Sequence, residues 1–425
     1  YSIGLRIMII SKNRKLVVGL EIGTTKVVTL VGEVLTNGKI KIIGIGICQS
    51  NGIDKGRINN LDAVISCIRE SIHQAEIMAN CQITSVYLSL SSKYINCQNE
   101  IGIVPISEDE VTKEDIENVI HTAKSVKILN EHHILHVIPQ EYSIDQQSGI
   151  KNPIGLSGTR MQVRVHLITC HQNMAKNIIK AVEKCDIKVD QVIFSGLASS
   201  KAVLTEDECK LGVCMIDIGG GTIDLITYID GSIQDSQVIP YAGNIVTKDI
   251  SYAFSTSYSD SEKIKIKYGS AIKLSPGTSK NIDLSSKYGN FQKNLQQDTV
   301  IEVIESRYNE LLHLINNRIL YVQKKLYKEG RKYQLTGGIV LTGGASTISF
   351  LTECAEKIFQ KKIRIAKPLN ISGLTDNVTE PHYSTVVGLL HYGKEFYFDD
   401  TNQKREISFI EKWFQKISNW FKKEF

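Results

Sequence analysis

The chain has 425 residues, of which 42% are hydrophobic, so it is long enough for two domains with proper cores. Its net charge of +5 is mild and its basic residues are scattered, which gives no reason to expect nucleic acid as a partner. The nine cysteines are odd in number and include no CxxC pair, so they indicate reduced, mostly buried thiols in a cytoplasmic protein rather than disulfides or a zinc site.

The first residues carry no fold signal. The apolar run at 7–10 lies between Arg6 and Lys12 and is too short for a membrane span or a signal peptide. Met8 is a candidate start, because the sequence opens with Tyr1. We therefore expect residues 1–14 to be an N-terminal extension.

The first predicted element is a β-hairpin closed by a glycine turn. Apolar strand residues 16–20 lead into the turn 21–26, and an apolar strand at 27–31 leads out. Glycine lets backbone N–H groups approach phosphate oxygens, while hydroxyls and a lysine add donors and charge. A carboxylate at the end of the preceding strand can hold the water shell of Mg²⁺. The candidate residues are Gly23, Thr24, Thr25 and Lys26 for a phosphate and Glu21 for Mg²⁺.

The elements that follow are predicted from their hydrophobic periodicity. Residues 91–170, with several short strand patterns and a polar helix near 113–125, are interpreted as an inserted small subdomain. Around this insertion we expect strands at 39–47, 86–90, 161–169 and 189–194, and helices at 60–79 and 172–185.

A second hairpin repeats the first almost two hundred residues later. Strand residues 213–216 lead into the turn 217–222, which contains Asp217, Gly219, Gly220, Gly221 and Thr222, and a strand follows at 223–228. Each copy then meets a two-residue hairpin signal, Asn37-Gly38 or Asp230-Gly231. In a dinucleotide fold or a P-loop the glycines would precede a helix, whereas here both flanks are strands. The duplication therefore predicts two related domains with a phosphate held between their hairpins.

A third glycine turn, Thr342-Gly343-Gly344-Ala345, completes the set. One such turn alone is as easily an ordinary hairpin connection, but three together favour a nucleotide cleft. Between the second and third turns lies another insertion at 237–330, with a polar lysine- and serine-rich middle and a long helical pattern at 299–327. Helices are also predicted at 346–359 and 383–392.

Two hairpin phosphate turns, a connecting strand and helix, and a late TGGA turn resemble the layout of the actin superfamily. Within it the chain resembles the FtsA family of bacterial actin-like cell-division proteins from about residue 15 to the C-terminus, through segments such as HVIPQEYSID, KNPIGLSG, LASSKAVLTEDE, VIPYAGN and YSTVVGLLHYGK. The resemblance implies an α/β, actin-like two-domain ATPase fold with ATP and Mg²⁺ in the cleft, self-association into protofilaments, and tethering of the division ring at the cytoplasmic face of the inner membrane.

The resemblance also implies the domain organisation. We expect a first actin-like subdomain at 15–90 and 171–206, the inserted subdomain at 91–170, a second actin-like subdomain at 207–236 and 331–397, a partner-binding insertion at 237–330, a linker at 398–406 and a membrane-targeting helix at 407–425.

Further cleft residues are implied by the family pattern. Gly343, Gly344 and Ala345 would lie against the nucleoside, and Glu262 and Lys265 would contact ribose and adenine. Gly243 is a further expected cofactor-binding residue. From the charge pattern alone, the helix that carries Glu262 could equally be a solvated charged face. Asp217 would join Glu21 near Mg²⁺, although much of the superfamily has aspartate at the position of Glu21.

Hydrolysis is expected to be slow or absent. Many superfamily members place a glutamate or glutamine at the end of the connecting strand to orient the attacking water. This chain has Phe194-Ser195-Gly196 there, and no carboxylate or amide side chain occurs between residues 192 and 202.

The C-terminal segment has the pattern of an amphipathic helix that lies in a bilayer interface. At about 100° per residue its apolar side chains fall within an arc of roughly 140°, with lysines on the other side. Both tryptophans of the chain are in this apolar stripe, which favours interfacial binding. Docking on the protein's own core is the alternative, but the polar stretch 399–406 indicates a linker. The predicted membrane residues are Ile407, Ile410, Lys412, Trp413, Phe414, Lys416, Ile417, Trp420, Phe421, Lys422 and Lys423.

Partner binding rests on the resemblance. It implies that the second insertion receives the C-terminal peptide of FtsZ, with Arg307, Tyr308 and Glu310 as contacts, and that the inserted subdomain serves protofilaments and later division proteins. A lone arginine on a polar helix face is otherwise simply solvated. The alternative functions are a small-molecule kinase, a chaperone ATPase and a pilus-assembly protein of the same superfamily. The kinase would need a substrate-activating aspartate, and the chaperone would need a peptide-binding β domain after the second domain.

Overall fold

The computed structural model describes residues 14–273, 281–284, 293–374 and 378–401. The first elements in chain order are strands β1 (Leu16–Ile22), β2 (Lys26–Val34), β3 (Ile40–Gln49), β4 (Ile53–Asp54) and β5 (Arg57–Ile58), helix α1 (Leu61–Ala79) and strand β6 (Ser85–Leu90). The chain continues with β7 (Asn96–Pro105), α2 (Lys113–Lys124), β8 (His132–Ile144), β9 (Gln147–Ile150), β10 (Arg160–His171), α3 (Gln172–Glu183), β11 (Lys188–Phe194), α4 (Ser195–Val203) and α5 (Glu206–Leu211).

The second half begins with the repeated hairpin. Its elements are β12 (Val213–Ile218), β13 (Ile223–Ile229), β14 (Ser232–Ile239), α6 (Gly243–Phe254), α7 (Tyr258–Tyr268), β15 (Asn281–Leu284), β16 (Lys293–Gln296), α8 (Gln297–Lys328), β17 (Ile339–Thr342), α9 (Leu351–Phe359), β18 (Ile363–Ile365), β19 (Ile371–Gly373) and α10 (Ser384–Thr401). Short 3₁₀ turns occupy Gly344–Thr347 and Pro381–Tyr383.

Two sheets repeat one plan, which confirms the predicted duplication. In the first sheet, ordered β11-β6-β1-β2-β3-β19, β1 pairs antiparallel with β2 and parallel with β6. In the second, ordered β14-β13-β12-β17-β18, β12 pairs antiparallel with β13 and parallel with β17. Both β1 and β12 are almost wholly buried, as expected of an apolar central strand covered on both faces. Each sheet therefore presents a glycine turn at the end of its central strand.

The inserted part forms an antiparallel sheet, β7-β10-β8-β9, with α2 packed on one face. Met161, Val163 and Val165 alternate along β10 and are fully buried in this small core. Helix α2 begins with a capping box, in which Thr112 and Asp115 each accept a hydrogen bond from the other's backbone N–H.

The last described part of the chain returns to the first sheet, which corrects the predicted range 331–397 for the second subdomain. Strand β19 pairs in parallel with β3, and Val386 and Leu389 of α10 pack against Gly19 in the first core. The cause is a tertiary contact, because a Cβ at Gly19 would come within 2.9 Å of the Val386 carbonyl oxygen. The second subdomain therefore ends after β18, and the residues from β19 onwards belong to the first subdomain.

Two other boundaries differ from the prediction or lie outside the described residues. Helix α10 continues to Thr401, so the linker predicted at 398–406 does not begin at 398. The predicted membrane helix at 407–425 lies outside the described residues, as do residues 1–13 of the predicted extension. Within the described residues, no helix is long and apolar enough to cross a bilayer.

Candidate nucleotide site

The first and second glycine turns face each other and are in contact. A Cβ placed on Gly220 would lie 2.5 Å from Thr25 Cγ2, and one on Gly221 would lie 2.5 Å from Thr24 Oγ1. Only the absence of a side chain allows this approach. One cleft is consequently lined by both turns, together with Gly343 of the third.

The two turns are also alike in their hydrogen bonds. The N–H of Gly23 donates to the carbonyl of Lys26 at 2.9 Å, and the N–H of Gly219 donates to the carbonyl of Thr222 at 3.0 Å. Each turn therefore has the same closed backbone, and the duplication extends from the sheets to the site itself.

Lys26 and Glu21 meet at the bottom of the cleft with atoms that lack a partner. Among the described residues, Lys26 Nζ and Glu21 Oε2 are buried and accept or donate no hydrogen bond. Burial raises the pKa of Glu21 to about 7, although Lys26 opposes the shift. Burial likewise lowers the pKa of Lys26 to about 8, against the field of Glu21. Buried polar atoms normally find partners, so an ammonium and a carboxylate oxygen left over here fit a phosphate and a hydrated cation.

Two hydroxyl groups hold the carboxylate of Asp217 in place. Ser199 at α4 donates to its Oδ2, and Thr385 at the start of α10 donates to the same atom at 3.2 Å. Burial raises the pKa of Asp217, while these hydrogen bonds and Lys26 act in the opposite direction. Because Oδ2 accepts both of these hydrogen bonds, Oδ1 is the oxygen that lies beside Gly343 in the cleft.

The third turn packs closely against the second. Gly343 has a φ of +88°, and a Cβ there would lie 2.2 Å from Asp217 Oδ1, so glycine is required twice over. Its N–H donates to the carbonyl of Pro381 at 3.2 Å. The carbonyl of Ala345 accepts a hydrogen bond from the Tyr308 hydroxyl at 2.8 Å.

Glu262 and Lys265 form a buried network around the start of α6. Lys265 is 7% exposed, and its Nζ donates to the carbonyl of Gly243, to Thr247 Oγ1 and to Glu262 Oε2. The N–H of Gly243 in turn donates to the carbonyl of Gly219 at 3.0 Å. These residues therefore hold the second turn against α6, and the solvated helix face is excluded for Lys265. Their contact with ribose and adenine stays a prediction.

The cleft also contains polar residues that the sequence patterns did not indicate, among them Asp224 and Ser91. Asp224 lies in the cleft wall, opposite Asp217 in the β12–β13 register, and Ser91 donates to its Oδ1. Burial and the neighbouring Asp217 raise the pKa of Asp224 well above its usual range. The signal was present: in a hairpin closed at 218–223, residue 224 must pair with residue 217.

The predicted partner residues on α8 differ in their surroundings. Arg307 clasps α8 to α6 by donating to both carboxylate oxygens of Asp249, and it also pairs with Glu310. Tyr308 is 1% exposed and points into the core, so its prediction as a peptide contact is corrected. Helical geometry gives the reason, since adjacent residues are about 100° apart and cannot share one surface. Arg307 and Glu310 remain on the outer face.

The carboxylates alone do not form a metal cage: over the described ranges, no cluster of three or more His, Cys, Asp and Glu side chains is arranged to hold a metal ion. The site can nonetheless take a phosphate, because it offers two N–H-rich turns, hydroxyls from Thr24, Thr25 and Thr222, and one buried ammonium.

Solved structures share the fold at low identity. The chain resembles a PilM–PilN type IV pilus biogenesis complex with a TM-score of 0.64 and 13% identity, over 89% of this chain and 98% of that one. It resembles MreB5 of Spiroplasma citri bound to ADP with a TM-score of 0.54 and 14% identity, over 91% and 98%. The duplicated sheets and the cleft between their turns thus define an actin-like α/β fold, and the predicted fold class is confirmed.

Sequence comparisons place the chain more narrowly. The family model described as Cell division protein FtsA matches residues 214–388, and that of the SHS2 domain inserted in FTSA matches residues 92–169. The chain is 76% identical to the cell division protein FtsA of Buchnera aphidicola subsp. Acyrthosiphon pisum over 418 residues, 98% of this chain and 100% of that protein. It is 57% identical to the FtsA of Escherichia coli K12 over 420 residues, again 98% and 100%. The chain belongs to the FtsA family of cell division proteins, as its resemblance indicated.

Proposed function

We propose that this chain is an ATP-binding actin-like protein that forms protofilaments on the cytoplasmic face of the inner membrane at the division site. There it anchors FtsZ filaments through its C-terminal helix and helps recruit later division proteins. Family membership supports the cell-division part. The observation that carries the nucleotide part is the pair of facing glycine turns, with Lys26 Nζ and Glu21 Oε2 buried beside them and without a hydrogen-bond partner in the described part of the chain.

The cleft residues would share the nucleotide as follows. Backbone N–H groups of the first two turns and the hydroxyls of Thr24, Thr25 and Thr222 would bind the phosphates, and Lys26 would neutralise their charge. Glu21 and Asp217 would hold Mg²⁺ through its water shell, and the ion would offset part of the phosphate charge. Gly343, Gly344 and Ala345 would lie against the nucleoside, Gly243 would belong to the same binding site, and Glu262 and Lys265 would contact ribose and adenine. MreB5 structures with ADP and AMPPNP support ATP as the ligand of this type of cleft.

ATP binding is tested by isothermal calorimetry on the full chain, with and without Mg²⁺. We expect saturable binding that Lys26→Met weakens, because an ammonium near phosphate is lost. Lys39→Met is the matched control, since Lys39 is an exposed lysine at the start of the neighbouring strand. Equal loss in both variants, or no binding by the unaltered chain, would contradict the proposal.

Hydrolysis is proposed to be slow, so that ATP acts as a switch rather than a fuel. Asp224 lies in the cleft wall, but burial raises its pKa, which favours the neutral carboxyl and weakens it as a base. Steady-state phosphate release measured at saturating ATP should stay below about 1 s⁻¹. A faster rate that Asp224→Asn abolishes would overturn the switch and make the chain an enzyme.

Membrane anchoring is tested by liposome flotation with anionic phospholipid. The intact chain should float, whereas a chain that ends after Thr401, which retains all of α10, should stay at the bottom. Trp413→Glu should sink as well, and Gln415→Glu on the predicted polar side should float. Equal flotation of the intact and shortened chains would remove the anchor.

FtsZ binding is proposed for the outer face of α8. Fluorescence anisotropy with the FtsZ C-terminal peptide should show weaker binding by Arg307→Ala and by Glu310→Gln. Glu310→Gln leaves the hydrogen bonds between Arg307 and Asp249 in place. It therefore distinguishes a loss of peptide contact from a loss of the contact between α8 and α6. Unchanged affinity in both would move the peptide site elsewhere.

A further inference from the structure

One short segment contacts all three glycine turns of the cleft. The segment 381–385 joins the third turn through the Pro381 carbonyl, which accepts from the N–H of Gly343 at 3.2 Å. It joins the second turn through Thr385, which donates to Asp217. It joins the first turn through Tyr383, because Lys26 Nζ lies 3.9 Å from the centroid of the Tyr383 ring. No glycine pattern marks this segment in the sequence, and its place in the cleft comes only from the return of the chain to the first sheet.

The contact between Lys26 and Tyr383 is unusual for its setting. Lys26 Nζ is buried and donates no hydrogen bond to any residue that the structure describes, while Tyr383 is 8% exposed and belongs to the first core. An ammonium over the face of an aromatic ring is attracted by the ring quadrupole, and the attraction grows when both groups are withdrawn from water. The ring is therefore the main neutral group that stabilises the charge of Lys26 in the absence of an acceptor.

The neighbours of this pair do not supply the same support. Glu21 attracts the ammonium, but its Oε2 makes no hydrogen bond with it. The imidazole of His382 lies 4.2 Å from the Tyr383 ring, and its pKa is lowered to about 4 by burial and by Lys26, so it stays neutral. Tyr383 alone among these side chains presents a ring face to Nζ.

We propose that Tyr383 is a positioning residue of the nucleotide site, whose ring holds the Lys26 ammonium in place and directed at the phosphates. This inference rests on the proposed binding of ATP in the cleft. Tyr383 would thus contribute to the affinity for a nucleoside triphosphate through Lys26, without direct contact between its phenol and the ligand.

The test measures the dissociation constant of ATP with Mg²⁺ by calorimetry on the full chain. Tyr383→Leu, which removes the ring, should weaken binding by up to about thirtyfold, the size of a desolvated cation–π contact. Tyr383→Phe keeps the ring and should restore the affinity. Trifluorinated phenylalanine at position 383 has nearly the same shape but a weakened quadrupole, so it should bind as weakly as the leucine variant without a change in packing.

A double-mutant cycle identifies the route of the effect. In a Lys26→Met background, Tyr383→Leu should cause no further loss, because the ring has no cation to hold. Wild-type affinity in the leucine or trifluorinated variant would overturn this inference but not the proposed function. The same would follow if Tyr383→Leu weakened ATP binding as much in the Lys26→Met background as in the unaltered chain. No ATP binding by the unaltered chain would overturn the proposed function and this inference together.

Discussion

Gly220 and Gly221 show what single residues do in this cleft. No atom beyond hydrogen fits on their Cα atoms without meeting the opposite turn, at 2.5 Å from Thr25 or Thr24. Gly221 does not have the left-handed backbone that alanine avoids, so the restriction comes from the partner turn and not from its own torsions.

We predict that Gly221→Ala lowers the affinity for ATP by about tenfold or more, because a misplaced contact of this size disturbs the alignment of the phosphate turns. The thermal midpoint of the unliganded protein should change little, since alanine restricts the unfolded chain and offsets part of the clash. Calorimetric titration and a thermal scan on the same preparation check both statements. Unaltered affinity would mean that the two turns separate when nucleotide binds.

His136 shows how one buried imidazole links stability to pH. It lies on β8, and its Nε2 accepts the N–H of Phe194 at 3.0 Å, which joins the inserted sheet to the end of β11. Burial lowers the pKa of His136 from its ordinary value of 6.5 to about 3. Between these values the unfolded chain binds more protons than the folded one, so the free energy of unfolding falls as pH falls.

We predict that His136→Gln, which keeps an acceptor but cannot be charged, reduces this acid sensitivity. From pH 6.5 to pH 5 the unaltered chain should lose about 2 kcal/mol more than the variant. Urea unfolding at both pH values measures the difference. His73→Gln, at an exposed position on α1, should behave like the unaltered chain, and an equal acid loss in His136→Gln would refute the assignment.

At the scale of elements, the inserted sheet is fastened to the edge of the second sheet. Strand β14 is an edge strand, and edge strands leave backbone groups unpaired. Side chains of the insert satisfy them: Gln140 Nε2 donates to the carbonyl of Ile233 and Asn99 Nδ2 to that of Gln234. His166 bonds Ser236 Oγ at 2.8 Å. The insert, continuous in sequence with the first sheet, is thus held by hydrogen bonds to the second.

We predict that Gln140→Met, which is similar in shape but apolar, loosens this attachment. It would leave the Ile233 carbonyl and Arg164 Nε without their partner, at a cost of about 1–3 kcal/mol for each buried group. Hydrogen exchange should accelerate in β7–β10 and β14 and stay unchanged in β1 and β2. Gln147→Met, on exposed β9, is the control, and equal exchange in the two variants would count against the attachment.

At the scale of the whole molecule, the nucleotide site is assembled from distant parts of the chain. Turns at 21–26, 217–222 and 342–345 meet only because two sheets face each other, and α10 brings residues 381–385 back between them. A ligand that touches all these parts binds only the folded chain, so it should stabilise both halves together.

We predict that ATP with Mg²⁺ raises the thermal midpoint of the entire chain. At a free ligand concentration one hundred times the dissociation constant, the gain is about 2.7 kcal/mol. Differential scanning calorimetry should show one shifted transition, and Lys26→Met should shift less at the same ATP concentration. A gain confined to one of two separate transitions would contradict a ligand shared by both sheets.

Much of the architecture was predictable because its signals are local. Hairpins around Gly23 and Gly219 follow from alternating apolar runs and turn glycines, and α1 and α8 follow from helical periodicity. The place of residues 371–401 was not predictable in this way, because the apolar pattern of a helix such as α10 does not indicate which of two cores it covers. The close fit of α10 to Gly19 decides the choice, and no local pattern encodes it.

The same division holds for the site. The three glycine turns, the lysine and the two carboxylates could be predicted from the sequence, since phosphate binding needs those residue types at short spacing. The tertiary structure alone decided that Asp224 and Ser91 join the cleft, that Tyr308 faces the core, that Arg307 is clasped by Asp249, and that Tyr383 lies over Lys26. These contacts join residues far apart in the chain, and they depend on how two sheets and a returning helix pack rather than on any neighbouring residue.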